Sequence, residues 1–138
     1  SNTSTIYTLA NGKVETVHAD ATLGGTNGIL VEENTIYLAG YGSGNVYRMD
    51  MTTKSVEKIA TDVPGGDGIV RYGEDLLVSN WNGQVYHVTM DGVVTLLLDS
   101  QEAKLNAADI EVIADKNLLL VPTFFGNGVT AYELKENK

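Results

Sequence analysis

Two positions in this chain set an oxygen-bearing side chain in the same local wording. Asn27-Gly28-Ile29 recurs as Asp67-Gly68-Ile69, 40 residues later. Near each lie polar and aromatic residues: Tyr41 after the first, Asn80-Trp81-Asn82 after the second, and Phe124-Phe125 further on. Oxygen donors and aromatics gathered around a concave opening suit a small-molecule site. Asn-Gly and Asp-Gly are also common turn pairs, and a single copy would read as a turn. Two copies at one spacing make a site reading as strong as the turn reading. What decides between them is the scaffold that would position these residues.

That scaffold is a repeat. Ile36-Tyr37-Leu38-Ala39 matches Leu76-Leu77-Val78-Ser79 at an offset of 40, and Gly44-Asn45-Val46-Tyr47 matches Gly83-Gln84-Val85-Tyr86 at 39. Each unit ends in a fourth apolar run, Val56–Ala60 or Val93–Leu98, after a turn. The units at 26–60 and 67–98 therefore read as four short strands each. A looser third unit at 108–134 has three runs and then a charged tail. Two leading runs at 5–18, joined by Asn11-Gly12, match the third and fourth positions of a unit. No segment has helical periodicity; Gln101–Asn106 offers at most one turn.

Units of four strands in about 40 residues indicate β-propeller blades. The fold expected is all-β: a partial β-propeller of about three antiparallel blades in one incomplete domain. A closed propeller needs about four blades or more. The expectation is thus a piece of a larger, six-bladed ring. Its partner would be the missing N-terminal half, or a second copy. The opening Ser1-Asn2 reads as a cloning remnant.

Antiparallel connectivity puts the loop before each first strand at the same end as the loop between the second and third. Gly25-Thr26-Asn27, Gly65-Gly66-Asp67 and Asn106-Ala107-Ala108 should share that end with Tyr41, Asn80-Trp81 and Thr123-Phe124. Innermost strands line a propeller's channel, so Asn27 and Asp67 should face its mouth. Trp81 and Phe124 serve either stacking on a sugar-like ligand or packing between blades. His87, in a third strand, should face opposite to Tyr86 and reads as structural or solvent-facing. His18, on an outer strand, should be exposed.

Composition narrows the classes further. Nine Lys and Arg stand against eighteen Asp and Glu, for a net charge of −9. The basic residues are scattered, which argues against nucleic acid and anionic membrane surfaces. Without cysteine there is no disulfide, thiolate metal site or Cys nucleophile. No apolar run approaches the roughly 20 residues of a helical membrane span. Gly24-Gly25 and Gly65-Gly66 lack the helix and Lys-Ser/Thr pair of a phosphate loop. Nothing here fixes the compartment.

Asn27-Gly28-Ile29, then Asp67-Gly68-Ile69, Leu76-Leu77-Val78 and Asn82-Gly83-Gln84-Val85 together resemble the SMP-30/gluconolactonase/regucalcin family. That family is a six-bladed propeller with a divalent cation in its channel. Its C-terminal half carries an Asn-Gly-hydrophobic motif and, one blade on, an Asp-Gly-hydrophobic motif. The resemblance implies that Asn27 and Asp67 are metal ligands and that Asp67 takes part in catalysis. Tyr41, Asn80, Trp81 and Phe124 would then flank the substrate. The cation would be Ca²⁺ first, with Mg²⁺ or Zn²⁺ as alternatives, and hard cations want such oxygen donors. The implied activity is metal-dependent hydrolysis of a lactone or sugar-acid ester in the intact protein. The family's Glu and a second Asn have no counterpart here. In the third unit, alignment on Ile110 puts Ala108 at the ligand position and Asp109 where the Gly stood. The site on this chain alone is thus expected to be incomplete and the chain inactive. The competing expectation is a non-catalytic propeller that binds a sugar-like ligand or a protein.

Overall fold

The computed structural model describes residues 3–135. Ser1-Asn2 and the last three residues of the charged tail lie outside them. Thirteen strands form four antiparallel sheets among the described residues. The first sheet is a hairpin, β1 (Thr5–Ala10) and β2 (Lys13–Ala19). The second holds β3 (Thr26–Glu32), β4 (Thr35–Gly40), β5 (Val46–Asp50) and β6 (Val56–Ala60). The third repeats it with β7 (Gly66–Tyr72), β8 (Asp75–Asn80), β9 (Gln84–Val88) and β10 (Val94–Asp99). The fourth has only β11 (Glu111–Ile113), β12 (Leu118–Pro122) and β13 (Val129–Glu133). Each sheet is a simple meander, with neighbours in sequence paired.

Turn chemistry sets the register. Asn11 and Gly12 both adopt left-handed φ (51° and 75°), so β1 and β2 are joined by a two-residue turn. Gln101–Lys104 forms turns rather than helix. The helical turns that do occur are short 3₁₀ segments at Ala21–Leu23, Ala114–Lys116 and Phe124–Gly126. In the last unit, 108–110 precede the first strand instead of forming it.

The sheets stack face to face through three apolar clusters. The first hairpin gives Ile6 to the second sheet's Ile36, Leu38, Tyr47 and Met49. Tyr37, Ala39 and Val46 of the second sheet meet Ile69, Leu76, Val78 and Val88 of the third. Val70, Leu77 and Val85 on the third sheet's other face meet Ile110, Leu119 and Val121. A strand with a sheet on each side has no solvent face. This is why β8 reads Leu76-Leu77-Val78 as a continuous apolar run rather than an alternating one, with all three fully buried. The outer strands β2 and β10 have mostly exposed or half-buried residues.

Candidate functional site

Asn27 and Asp67 sit in equivalent irregularities of neighbouring sheets. The β3–β4 register shifts between Thr26 and Gly28, and the β7–β8 register shifts between Gly66 and Ile69. Each shift is a bulge that re-aims one side chain. The two side chains converge: the Asn27 amide Nδ2 donates to Asp67 Oδ1. The repeat spacing does bring these two positions together.

The following glycines explain the recurrent wording better than a turn does. Neither Gly28 nor Gly68 has positive φ. Both are instead places where the next sheet's backbone comes close. A Cβ on Gly28 would lie 2.7 Å from the Asp67 carbonyl oxygen, and one on Gly68 would lie 2.6 Å from the Ile110 amide nitrogen. Glycine here lets adjacent first strands approach, which sets Asn27 against Asp67.

The same contact corrects the third unit. The backbone beside Gly68 belongs to Asp109 and Ile110, as that beside Gly28 belongs to Asp67. Asp109, and not Ala108, therefore occupies the place next to Asp67. The sequence alignment misses it by one residue, because it anchors on Ile110 as the partner of Ile69, whereas Ile110 falls beside Gly68. Ser79 fixes the arrangement. Its buried hydroxyl accepts from the Gly68 amide at 2.8 Å and donates to the Ala108 carbonyl at 3.0 Å. Ala39 holds the matching place in the second sheet and has no such bond to offer.

The electrostatics follow from this row. Burial raises the Asp67 carboxyl above its ordinary value, the nearby Asp109 charge raises it further, and the Asn27 hydrogen bond partly opposes both. Asn27 and Asp109 are exposed, while Asp67 is half-buried. An amide oxygen and two carboxylates suit a hard cation in kind. They fall short of the six to eight oxygens that calcium typically takes. No group of three or more His, Asp or Glu among the described residues is placed to hold a metal ion.

Hydrogen bonds confirm that the expected loops share an end. Tyr41 N donates to Gly25 O and Trp81 N to Gly65 O, each at 3.0 Å, and Ala108 N donates to Pro122 O at 3.1 Å. The flanking residues then separate by role. Asn80 is 2% exposed, and its side chain is committed to its own loop: Nδ2 donates to Gln84 and Oδ1 accepts from the Asn82 amide. Tyr41 is exposed beside a hollow of about 440 Å³ whose lining includes neither Asn27 nor Asp67. Trp81 is half-buried and meets Phe124 edge-on at 4.7 Å between centroids; Phe125 joins them at 4.9 Å from Phe124. Phe124 has a left-handed φ of 41°, a strained backbone for a bulky side chain. Both Phe rings remain largely exposed.

The two histidines lie elsewhere. His87 bonds Asp75 at 2.9 Å and touches Tyr72 edge-on, on the face opposite to the buried Tyr86. His18 is half-buried rather than exposed, and its Nε2 is enclosed without a hydrogen-bond partner. The β1–β2 hairpin packs against the second sheet through Ile6, with the neighbouring Val17 half-buried beside that cluster.

No protein-family model matches this sequence, and no curated protein matches it. Among solved structures, the chain is similar to the computationally designed Ika4 protein, with a TM-score of 0.64 and 9% identity, over 96% of this chain and 81% of that one. It is also similar to the computationally designed Ika8 protein, with a TM-score of 0.63 and 9% identity, over 95% of this chain and 40% of that one. A chain in a structure of S. cerevisiae Dbp5 bound to Nup159, Gle1, IP6 and ADP gives a TM-score of 0.52 at 13% identity, over 88% of this chain and 34% of that one. At such identities the likeness is one of fold.

Proposed function

We propose that the four stacked sheets are part of a β-propeller, and that the end bearing Asn27 and Asp67 is its cation-binding face. In the intact protein this face would serve metal-dependent hydrolysis of a lactone or related sugar-acid ester, as the resemblance to the SMP-30/gluconolactonase type implies. One observation carries the proposal: two repeat-related side chains, set in equivalent bulges, meet directly across neighbouring sheets. Asp109 beside them adds a carboxylate that the sequence alignment places one residue away.

Asn27, Asp67 and Asp109 would hold the cation, and the remaining donors would come from sheets this chain lacks. A bound cation would supply charge to polarise the ester carbonyl. Asp67, beside that cation, would be the carboxylate to take a proton from the attacking water. The missing sheets would come from an N-terminal half or a second copy. The chain alone should bind calcium weakly and hydrolyse nothing.

NMR-monitored calcium titration of the chain tests this. Millimolar calcium should shift the Asn27, Asp67 and Asp109 signals together, and Asp67→Ala should abolish the shifts. A titration that leaves all three signals in place would sink the proposal. The Trp81–Phe124–Phe125 cluster favours a second function, a non-catalytic one in which the exposed rings dock a sugar-like ligand or a protein. In that case ligand binding should survive Asp67→Ala and be lost in Trp81→Ala.

A further inference from the structure

Four Asn-Gly pairs occur in the chain, at 11–12, 27–28, 82–83 and 127–128. An asparagine followed by glycine carries its own reaction partner. The glycine amide nitrogen can close a five-membered ring on the asparagine side-chain carbonyl, and with no Cβ on the glycine little hinders the approach. The structure divides the four pairs. Gly28 is buried inside β3, where a Cβ would lie 2.7 Å from the Asp67 carbonyl oxygen. Gly83 is buried as well, and its amide donates to the Asn80 carbonyl at 2.9 Å. Gly12 and Gly128 are exposed, and among the described residues neither amide donates a hydrogen bond. We propose that Asn127-Gly128 is a site of spontaneous deamidation and isoaspartate formation, and that this modification dismantles the exposed cluster of Trp81, Phe124 and Phe125.

The step needs water as its only co-reactant. The Gly128 amide nitrogen gives up its proton and bonds to Asn127 Cγ. The bond from Cγ to Nδ2 breaks, and Nδ2 leaves as ammonia with that proton. Water then opens the cyclic imide at one of its two carbonyls. Opening at one restores the ordinary backbone with aspartate at 127. Opening at the other routes the backbone through the side chain, as isoaspartate, one carbon longer. Proximity favours the attack, because both reacting groups belong to neighbouring residues. Ring closure requires the peptide to rotate. An exposed amide with no bond to break permits that rotation, and a buried, paired strand opposes it. A Cβ on Gly128 would find its nearest neighbours only at 3.8 Å, so nothing packs against the site.

The consequence follows from what holds the loop. Thr123 uses its amide and its hydroxyl to bond the Gly128 carbonyl, at 2.8 and 3.0 Å, and the Asn127 amide bonds the Phe124 carbonyl at 3.1 Å. These bonds bracket the Asn127-Gly128 link and close 123–128 into one tight loop. A backbone longer by one carbon at 127 displaces the Gly128 carbonyl from Thr123. It thereby releases the turn that sets Phe124 edge-on against Trp81. Either product also adds a negative charge to the loop that carries the two Phe rings. Asn11-Gly12 shares the free amide but joins β1 to β2, so its conversion should leave the rings in place. The modification is independent of either function proposed above.

Incubating the folded chain at mildly alkaline pH, followed by peptide mapping with electron-transfer fragmentation, tests this. Asn127 and Asn11 should convert, with isoaspartate among the products, while Asn27 and Asn82 stay amides. In urea all four pairs should convert. Gly128→Ala is compatible with the loop, since Gly128 lacks a positive φ and has room for a methyl group. It should slow conversion at 127 by about tenfold or more and leave that at 11 unchanged. Trp81 is the single tryptophan, so its fluorescence reports on the cluster. The signal should change in step with isoaspartate at 127 and hold steady in aged Gly128→Ala. An Asn127 that survives as long as Asn27 in the folded chain overturns the modification site. Fluorescence indifferent to isoaspartate at 127 overturns its effect on the cluster.

Discussion

The fold favours the protonated form of Asp67 over its carboxylate. Burial and the Asp109 charge raise its folded-state proton affinity above the ordinary value of 3.8. A carboxyl with a raised folded pKa binds more protons in the native state, so stability falls as pH rises from the ordinary value through the raised one. Above that window the penalty is fully present. Asp67→Asn removes the ionisation and keeps an acceptor for Asn27. Its urea midpoint should exceed that of the parent at neutral pH, and the gain should vanish below the ordinary carboxylate value. Asp109→Asn should give a smaller gain of the same sign, because it removes only the second cause. A loss of stability at pH 7 in Asp67→Asn would show that the Asp67 carboxylate is held by a compensating bond beyond the one from Asn27.

At the scale of elements, the close approach of successive first strands depends on residues with no side chain to spare. Gly28→Ala and Gly68→Ala would each push a methyl group into backbone, not into a flexible side chain. Overpacking of this kind costs about 1–3 kcal/mol, readable by chemical denaturation. The same substitutions should also separate Asn27 from Asp67, seen as loss of coupled NMR shifts between them. Ser79→Ala leaves the Gly68 amide and the Ala108 carbonyl without their buried bridge. It should destabilise by about 1–3 kcal/mol, with the effect concentrated between the third and fourth sheets in hydrogen exchange. On the far side of the stack, Arg71 pairs with Glu32 and lies 4.8 Å over the Tyr37 ring, tying the second and third sheets where they are furthest from the candidate site.

Across the whole molecule, equal residues have unequal burial because the stack has ends. Ile29 and Ile69 are the same residue at the same repeat position. Ile69 is 4% exposed and Ile29 is 52% exposed. Ile69 lies against the second sheet, whose β4 is in contact with it through Ala39. The sheet before Ile29 is a two-stranded hairpin. Ile69→Ala should cost about 2–5 kcal/mol. Ile29→Ala should stay within about 0.5 kcal/mol in thermal or urea melts. Similar losses at both positions would mean that Ile29 is covered in solution by a second copy.

The strands of the two four-stranded sheets were legible in the sequence, because period, turn residues and repeat spacing are local properties; the first strand of the last unit was not, and begins at Glu111 rather than at 108. The shared end of the loops was legible as well, since antiparallel connectivity alone dictates it. So was the neighbourhood of Asn27 and Asp67, which a repeat must place side by side once its sheets stack. Four features were decided only by tertiary structure. The bulges that aim Asn27 and Asp67 depend on pairing register, and no residue announces them. Asp109 reaches Asp67 because the fourth sheet's backbone lies one residue away from the sequence alignment. Asn80 turned inward because its loop needed its amide. Ile29 and Ile69 diverge because burial belongs to the neighbouring sheet and not to the residue.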